Sequence, residues 1–336
     1  MITELRPLSE FCASLGKDFF LVQGAGGNVS FKCGDRMWVK ASGTSLANAT
    51  QKNIFVDVDW VRLREQMEAG NFELPTPPEG SVLRPSIETP LHALMPYTHV
   101  LHLHPVHIVA CLVRSDSLRE LERIMGGADI CWALVPYETP GARLAEAVQA
   151  KLVLAPDVQA VFLQNHGVII GADSLEDLQQ LLDVLVTRFD SDADLDAFEH
   201  KEQADVVQLA GYSLETDPII SLVSSSPAFC DFAQNAWPIC PDHVVFLGAR
   251  CRSFKSMAEA QAMVDMGKVE ENFFCVCGVG VFTRENFSDT QRQQLRFYCE
   301  VIARQERSRD LSLIDDNEVS QLLDWDAEKF RQRLAN

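Results

Sequence analysis

The chain has 336 residues, of which 47% are hydrophobic and 23% charged, with a formal net charge of -19. That composition excludes a disordered chain and leaves enough length for roughly two domains with buried cores. The acidity argues against nucleic-acid or anionic-membrane partners, because like charge opposes the approach to phosphate-rich surfaces. It leaves small anionic ligands open, since a local nest of backbone N–H groups binds phosphate within an acidic protein. No apolar run is long enough to predict a transmembrane helix, and the opening MITELRPLSEFCASLG has no signal-peptide core. The ten cysteines form no C-x-x-C. They read as buried free thiols, Cys275 and Cys277 of a C-x-C included, which fits a reducing cytoplasm.

In chain order, Ile2 to Leu15 has helical spacing, and Phe19 to Gln23 reads as a strand. Gly24-Ala25-Gly26-Gly27 follows, a loop whose glycines let backbone approach a ligand. Val29 to Lys32 and Met37 to Lys40 read as a hairpin across Cys33-Gly34-Asp35-Arg36, followed by a second small-residue loop, Ala41 to Ser45. Two such loops flanking one hairpin suggest an anion-binding rim, although ordinary turns have the same composition. Ile54 to Val58 predicts a strand, Val61 to Met67 a helix, and the proline-rich stretch from Leu74 to Glu79 a surface loop. Ser86 is a plausible N-cap for a helix through Leu94, which places Glu88 in its first turn and His92 one turn further on the same face.

His99 to Leu103 predicts a short buried strand, stopped by Pro105 ahead of a helix from Val106 to Leu112. Side chains two apart on a strand share a face, so His102 and His104 aim at one point. Two neutral imidazoles are half of a transition-metal site, but packed core histidines would give the same spacing. Cys131 to Val135 and Val158 to Leu163 read as strands, the latter followed by the apolar run Val168 to Gly171, and Ala142 to Leu152 and Leu175 to Phe189 as helices. A third histidine stands in Asn165-His166-Gly167, where the glycine allows a close approach. Three histidines from two strands with a carboxylate nearby satisfy the donor requirement of an open catalytic zinc site. Asp190 to Glu202 is an acidic helix extension or linker. Beyond it, Ile219 to Val223, His243 to Leu247, Phe273 to Cys277 and Val279 to Phe282 read as strands. Ser256 to Met266 and Asp289 to Arg304 read as helices, capped by Ser256 and Ser288, and Asp310 to Asn336 as a helical tail that packs through Trp325 and Phe330 among others.

Six segments in this order resemble the class II aldolase/adducin superfamily: Gly26-Gly27-Asn28, Ser42-Gly43-Thr44, Pro85 to His92, His102-Leu103-His104, Pro136-Tyr137 and Asn165-His166-Gly167. The resemblance implies a three-layer α/β/α sandwich with a mostly antiparallel sheet over residues 1–195. Residues 196–215 would be a linker or helix extension and 216–336 a smaller α/β unit with a helical tail. It implies metal ligation by His102, His104 and His166, with Zn²⁺ the expected ion, and Glu88 as proton carrier. Asn28, Ser42, Gly43 and Ser86 would hold a substrate phosphate. Tyr137 would enter the site from a neighbouring subunit of a homo-oligomer, a tetramer in most of the family.

The implied activity is that of an aldehyde-lyase in carbohydrate metabolism, cleaving a sugar phosphate or related hydroxy-ketone through a zinc-stabilised enediolate. Epimerases and decarboxylases share the scaffold, and adducin-like members are non-catalytic interaction modules that lack the histidines. Epimerases of the family tend to carry Asp at the position of Glu88, which favours cleavage here. Many sugar-phosphate members have a second serine where this chain has Ile87, which removes one phosphate donor. The region after residue 215 resembles the middle portion of long bacterial rhamnulose-phosphate aldolase/dehydrogenase fusions. His107 reads either as a residue facing the site or as a packing residue, His92 as a hydrogen-bonding neighbour of the ligands, and His200 and His243 as surface or packing residues. Arg84 reads as a structural residue or as a reader of a substrate anion.

Overall fold

The computed structural model describes residues 5–74, 83–193, 209–305 and 310–324. The proline-rich loop beyond Leu74, His200, most of the stretch 196–215, and Trp325 and Phe330 of the tail lie outside the described residues. The chain divides into two compact units, one through Asp190 and one from Ser191 through Leu323.

The first unit runs α1 (Leu5–Leu15), β1 (Asn28–Cys33), β2 (Arg36–Lys40), β3 (Phe55–Asp59), α2 (Trp60–Glu68), α3 (Thr89–Leu94), β4 (His99–Leu103), α4 (Val106–Leu112), α5 (Ser117–Met125), β5 (Trp132–Val135), α6 (Ala142–Leu154), β6 (Ala160–Leu163), β7 (Gly167–Ala172) and α7 (Leu175–Phe189). Among the described residues these strands form a seven-stranded sheet in the order β3-β2-β1-β4-β7-β6-β5. Every pair is antiparallel except β5 with β6.

Strand alternation builds both cores. Leu101, Leu103, Phe162 and Ile170 face α1, α4, α5 and α7, where Leu8, Ile108, Leu121 and Leu182 are buried. Val39, Val100, Val161 and Ile169 face α2, α3 and α6 with Leu63, Leu91 and Val148. Helices cover both faces of the sheet, so the unit is an α/β/α sandwich, and each fully buried Leu or Phe stabilises it by about 1.5–3 kcal/mol. The β1–β2 turn closes on Gly34 at φ +61°. The Asp59 side chain caps α2 by accepting from Arg62 N, and Ser174 caps α7 by accepting from Asp177 N.

The second unit holds β8 (Tyr212–Leu214), α8 (Pro218–Ser225), α9 (Pro227–Asn235), α10 (Pro241–Leu247), β9 (Ser253–Phe254), α11 (Met257–Asp265), β10 (Phe273–Val276), β11 (Gly280–Arg284), α12 (Asp289–Ala303) and α13 (Asp316–Asp324). Its described strands form a sheet in the order β8-β11-β10-β9. Tyr298 of α12 lies in its core beside Trp237, their ring centroids 4.4 Å apart. This is the smaller α/β unit.

Several expectations are corrected. Phe19 to Gln23 is a chain of turns, because Asp18 draws the backbone back: its carboxylate accepts from Phe20 N and its carbonyl from Leu21 N and Val22 N. Ile219 to Val223 lies within α8 and His243 to Leu247 within α10. Both helices begin on a proline, and the Asp217 carboxylate caps α8 by accepting from Ile219 N and Ile220 N. These start signals outweigh the β preference of a short branched run. Ser86 is not the cap of α3, whose N-cap position is Glu88; the Ser86 hydroxyl instead accepts from Glu88 N at 3.3 Å. Cys277 is not a free thiol: it is disulfide-bonded to Cys230. Cys33 and Cys131 are exposed.

Candidate metal and substrate site

Strand β4 supplies the first two histidines. His102 alternates with Leu101 and Leu103, so its ring points away from the leucine core, on the side where Val100 packs. His104 follows two residues later and aims the same way. His166 arrives from the β6–β7 hairpin, where Asn165 adopts a left-handed conformation at φ +58°. That hairpin sits hard against β4: a Cβ on Gly167 would lie 2.3 Å from Leu103 O and 2.9 Å from the His104 ring. Only glycine fits there, and the close approach is what lets a third imidazole reach the other two.

The three imidazoles form a triangle with ring centroids 4.9 Å apart on every side. Glu88 closes the group. Its Oε1 lies 3.1 Å from His102 Nε2 and 3.2 Å from His166 Nε2, and one ligand atom from each of the four residues falls within 4.8 Å of the others. All four are buried. His102 Nδ1 lies 3.0 Å from Val168 O. A carbonyl can only accept, so Nδ1 carries the hydrogen and Nε2 turns a lone pair toward His104 Nε2, 3.0 Å away. Three imidazole nitrogens converging in a buried space with a carboxylate fit a shared divalent cation, and three nitrogens with one oxygen suit zinc.

Glu88 is braced on its other oxygen: Asn28 Nδ2 donates to Oε2 at 2.6 Å. Asn28 pairs with His102 across β1 and β4, so the strand register sets this contact. Burial raises the carboxyl of Glu88, but His102 and then His166 facing it overcome that and hold it well below the ordinary carboxylate range. His92 bonds Ser30 Oγ through Nδ1 at 2.9 Å and is outside the ligand group. Burial, reinforced by His102, pulls it down to about 3, so it is neutral. His107 faces Asp190 and the Phe20 ring, as a packing residue would. His243 is buried against Phe297 and Tyr298.

The group opens on a small cavity of about 20 Å³ whose lining includes Gly26, Gly27, Asn28, Lys40, Ser42, Gly43, Ser86, Ile87, Glu88 and His104. Both small-residue loops therefore reach one space, with Gly27 and Gly43 at φ +67° and +70°. Ile87 contributes an apolar wall. Arg84 is exposed and outside this lining; its carbonyl accepts from Ser42 N and anchors the second loop. Tyr137 follows β5 at the far edge of the sheet and does not line the cavity. Lys40 is the residue that sequence reasoning missed. Only 2% exposed, it donates to Ala25 O at 3.0 Å and puts a cation at the loops. The signal was present: a lysine ends an apolar strand directly ahead of Ala41-Ser42-Gly43.

The profile of the family described as Class II Aldolase and Adducin N-terminal domain matches residues 6–190. The chain belongs to the class II aldolase/adducin family. It is 30% identical over 182 residues to the Bacillus subtilis (strain 168) protein named "Uncharacterized oxidoreductase YuxG", a match covering 49% of this chain and 26% of that protein, so it spans about a quarter of that relative. It is 26% identical over 180 residues to a methylthioribulose-1-phosphate dehydratase of Microcystis aeruginosa, covering 48% of this chain and 82% of the relative. Among solved structures, the N-terminal class II aldolase domain of a Thermoplasma acidophilum protein aligns with TM-score 0.47 at 22% identity, covering 56% and 93% of the two chains. An L-fuculose 1-phosphate aldolase aligns with TM-score 0.38 at 20% identity, covering 55% and 83%.

Proposed function

We propose that the protein is a metal-dependent aldolase that cleaves a sugar phosphate or related hydroxy-ketone to release an aldehyde, and that residues 1–195 carry the reaction. The observation that supports this reading is the buried group of His102, His104, His166 and Glu88 opening on a cavity walled by hydroxyls, glycine loops and one lysine. A divalent ion held there, zinc by preference, would supply Lewis acidity for the negative charge that develops on substrate oxygens as the carbon–carbon bond breaks. An imidazole binds a metal through a lone pair and adds no negative charge, so three of them would leave that ion its full charge. Lys40, Ser42, Gly43, Ser86 and Asn28 hold the anionic end of the substrate, and Ile87 shields it from water. Glu88, ionised and braced by Asn28, takes the hydroxyl proton from the carbon that becomes the aldehyde and returns it to the fragment left behind. Tyr137 enters from a neighbouring subunit of a homotetramer and donates to the opposite oxygen. We assign the reaction to the cytoplasm, where charged sugar phosphates that cannot cross a bilayer are retained.

Dehydration at the same centre is the second reading, favoured by the two relatives named as methylthioribulose-1-phosphate dehydratase or probable methylthioribulose-1-phosphate dehydratase. Both reactions remove a proton from the substrate, and they differ in the bond that then breaks. Incubating the zinc-loaded protein with a panel of ketose phosphates, methylthioribulose 1-phosphate included, separates them. Aldehyde release supports the aldolase, and loss of water without chain cleavage supports the dehydratase. A purified protein that binds only a small fraction of an equivalent of metal after zinc is supplied would sink both and favour an adducin-like interaction module.

A further inference from the structure

The second unit concentrates sulfur: six of the ten cysteines lie from Cys230 to Cys299. Cys230 of α9 is disulfide-bonded to Cys277, and its Sγ also lies 3.9 Å from the Sγ of Cys275. Strand geometry explains the three-sulfur row. Cys275 and Cys277 are two residues apart at the end of β10, so both present their sulfurs to the same helix. Cys230 and Cys275 are 5% and 0% exposed, whereas Cys277 is half-buried in the turn into β11. The backbone of that turn is pinned, with Cys277 N donating to Phe254 O at 2.9 Å and Val279 N to Val276 O at 3.0 Å. A Cys230–Cys275 bond needs the 3.9 Å gap between the two sulfurs to close by side-chain rotation while this turn keeps its backbone hydrogen bonds.

We propose that Cys230, Cys275 and Cys277 form a thiol–disulfide exchange site in which Cys230 pairs with either sulfur of the Cys-x-Cys, and the Cys230–Cys275 state presents Cys277 for mixed-disulfide formation with small disulfides. In the first step Cys275 gives up its proton and its sulfur attacks Cys230 Sγ. The Cys230–Cys275 bond forms as the Cys230–Cys277 bond breaks, and the Cys277 sulfur leaves with the electron pair and takes up a proton, with no net oxidation. In the second step the Cys277 thiolate attacks one sulfur of a low-molecular-weight disulfide. A mixed disulfide forms at Cys277 and the other half leaves as a thiolate.

The surroundings set the rate. Burial pushes the Cys275 thiol up to about 12. The titratable groups facing it are the Cys251 and Cys299 thiols and the Tyr298 phenol, all pushed up by burial themselves. Exchange is therefore slow at neutral pH and gains about tenfold per pH unit, because only the thiolate attacks.

The test uses the full chain, purified without reductant and oxidised with diamide to one disulfide per chain. It is incubated at pH 7, 8 and 9, quenched with acid and N-ethylmaleimide, and mapped without reduction by mass spectrometry, with fragmentation to distinguish Cys275 from Cys277. The expected result is a Cys230–Cys275 linkage carrying maleimide on Cys277, forming about tenfold faster per pH unit. Glutathione disulfide should then add at Cys277 in the wild type and not in Cys275→Ser, and Cys277→Ser should link Cys230 to Cys275 directly. Cys230 joined only to Cys277 at every pH, or left as a free thiol after oxidation, overturns the proposal. The wild-type map decides by itself if a variant does not fold.

Discussion

Glu88 divides its two oxygens between two tasks: one faces the imidazoles and the other is held by Asn28. Glu88→Gln preserves the shape and the three-nitrogen set, so metal content should stay near that of the wild type while turnover falls by about 10²–10⁴-fold. Elemental analysis beside an aldehyde-release assay reads both, and normal turnover in this variant would remove Glu88 from its role. His102→Ala should lose metal and activity together, because the remaining imidazoles give an open ion too few ligands. Gly167→Ala tests the close approach of the hairpin. Its methyl would meet Leu103 O, and urea unfolding should show a loss of about 1–3 kcal/mol. The histidines that converge were legible because each stands at a punctuated position, a strand end before Pro105 or a hairpin before Gly167. Asn28 as a brace was not legible. Its partner is 60 positions away, and only the β1–β4 register brings the two together.

Elements show the same contrast. Strand β4 and helices α4 and α7 begin and end where the periodicity predicts, since proline, serine or a charge change marks their limits. Helices α8 and α10 were read as strands because their branched runs are too short to display a helical period. Lys32 on β1 shows what an element's burial does to a charge. Its Nζ donates to the Met95 and Tyr97 carbonyls beyond the end of α3 and lies 5.1 Å over the Trp60 ring. Burial, aided by Arg64, pulls the lysine down from 10.5 to about 7. Below pH 7 both folded and unfolded chains carry this proton. Between 7 and 10.5 the unfolded chain holds one that the folded chain has released, so stability from this group rises with pH across that window. Urea midpoints from pH 7 to 10 should climb less steeply in Lys32→Met than in the wild type, and parallel slopes would refute the assignment.

For the whole molecule, the family match ends at Asp190, and so does the stretch that carries the family's sequence motifs. The second unit carries no such motif, and its disulfide could not be inferred from a C-x-C whose partner lies 47 residues away. A metal bound only by the folded protein stabilises it by mass action, by about 4 kcal/mol at a thousandfold excess over the dissociation constant. Chelation should therefore lower the thermal midpoint, and zinc should restore it; an unchanged midpoint would argue that the four residues hold no ion in solution.

Strand β4 also constrains how this site can be lost. The same five residues present leucines to one side and an imidazole to the other. Deleting one residue would exchange the two sets, driving imidazoles into oil and leucines toward Glu88 and His166. The four-residue group can thus disappear by replacing histidines one at a time, but not by slippage. Chains of this scaffold that have replaced the histidines should still keep the spacing of β4.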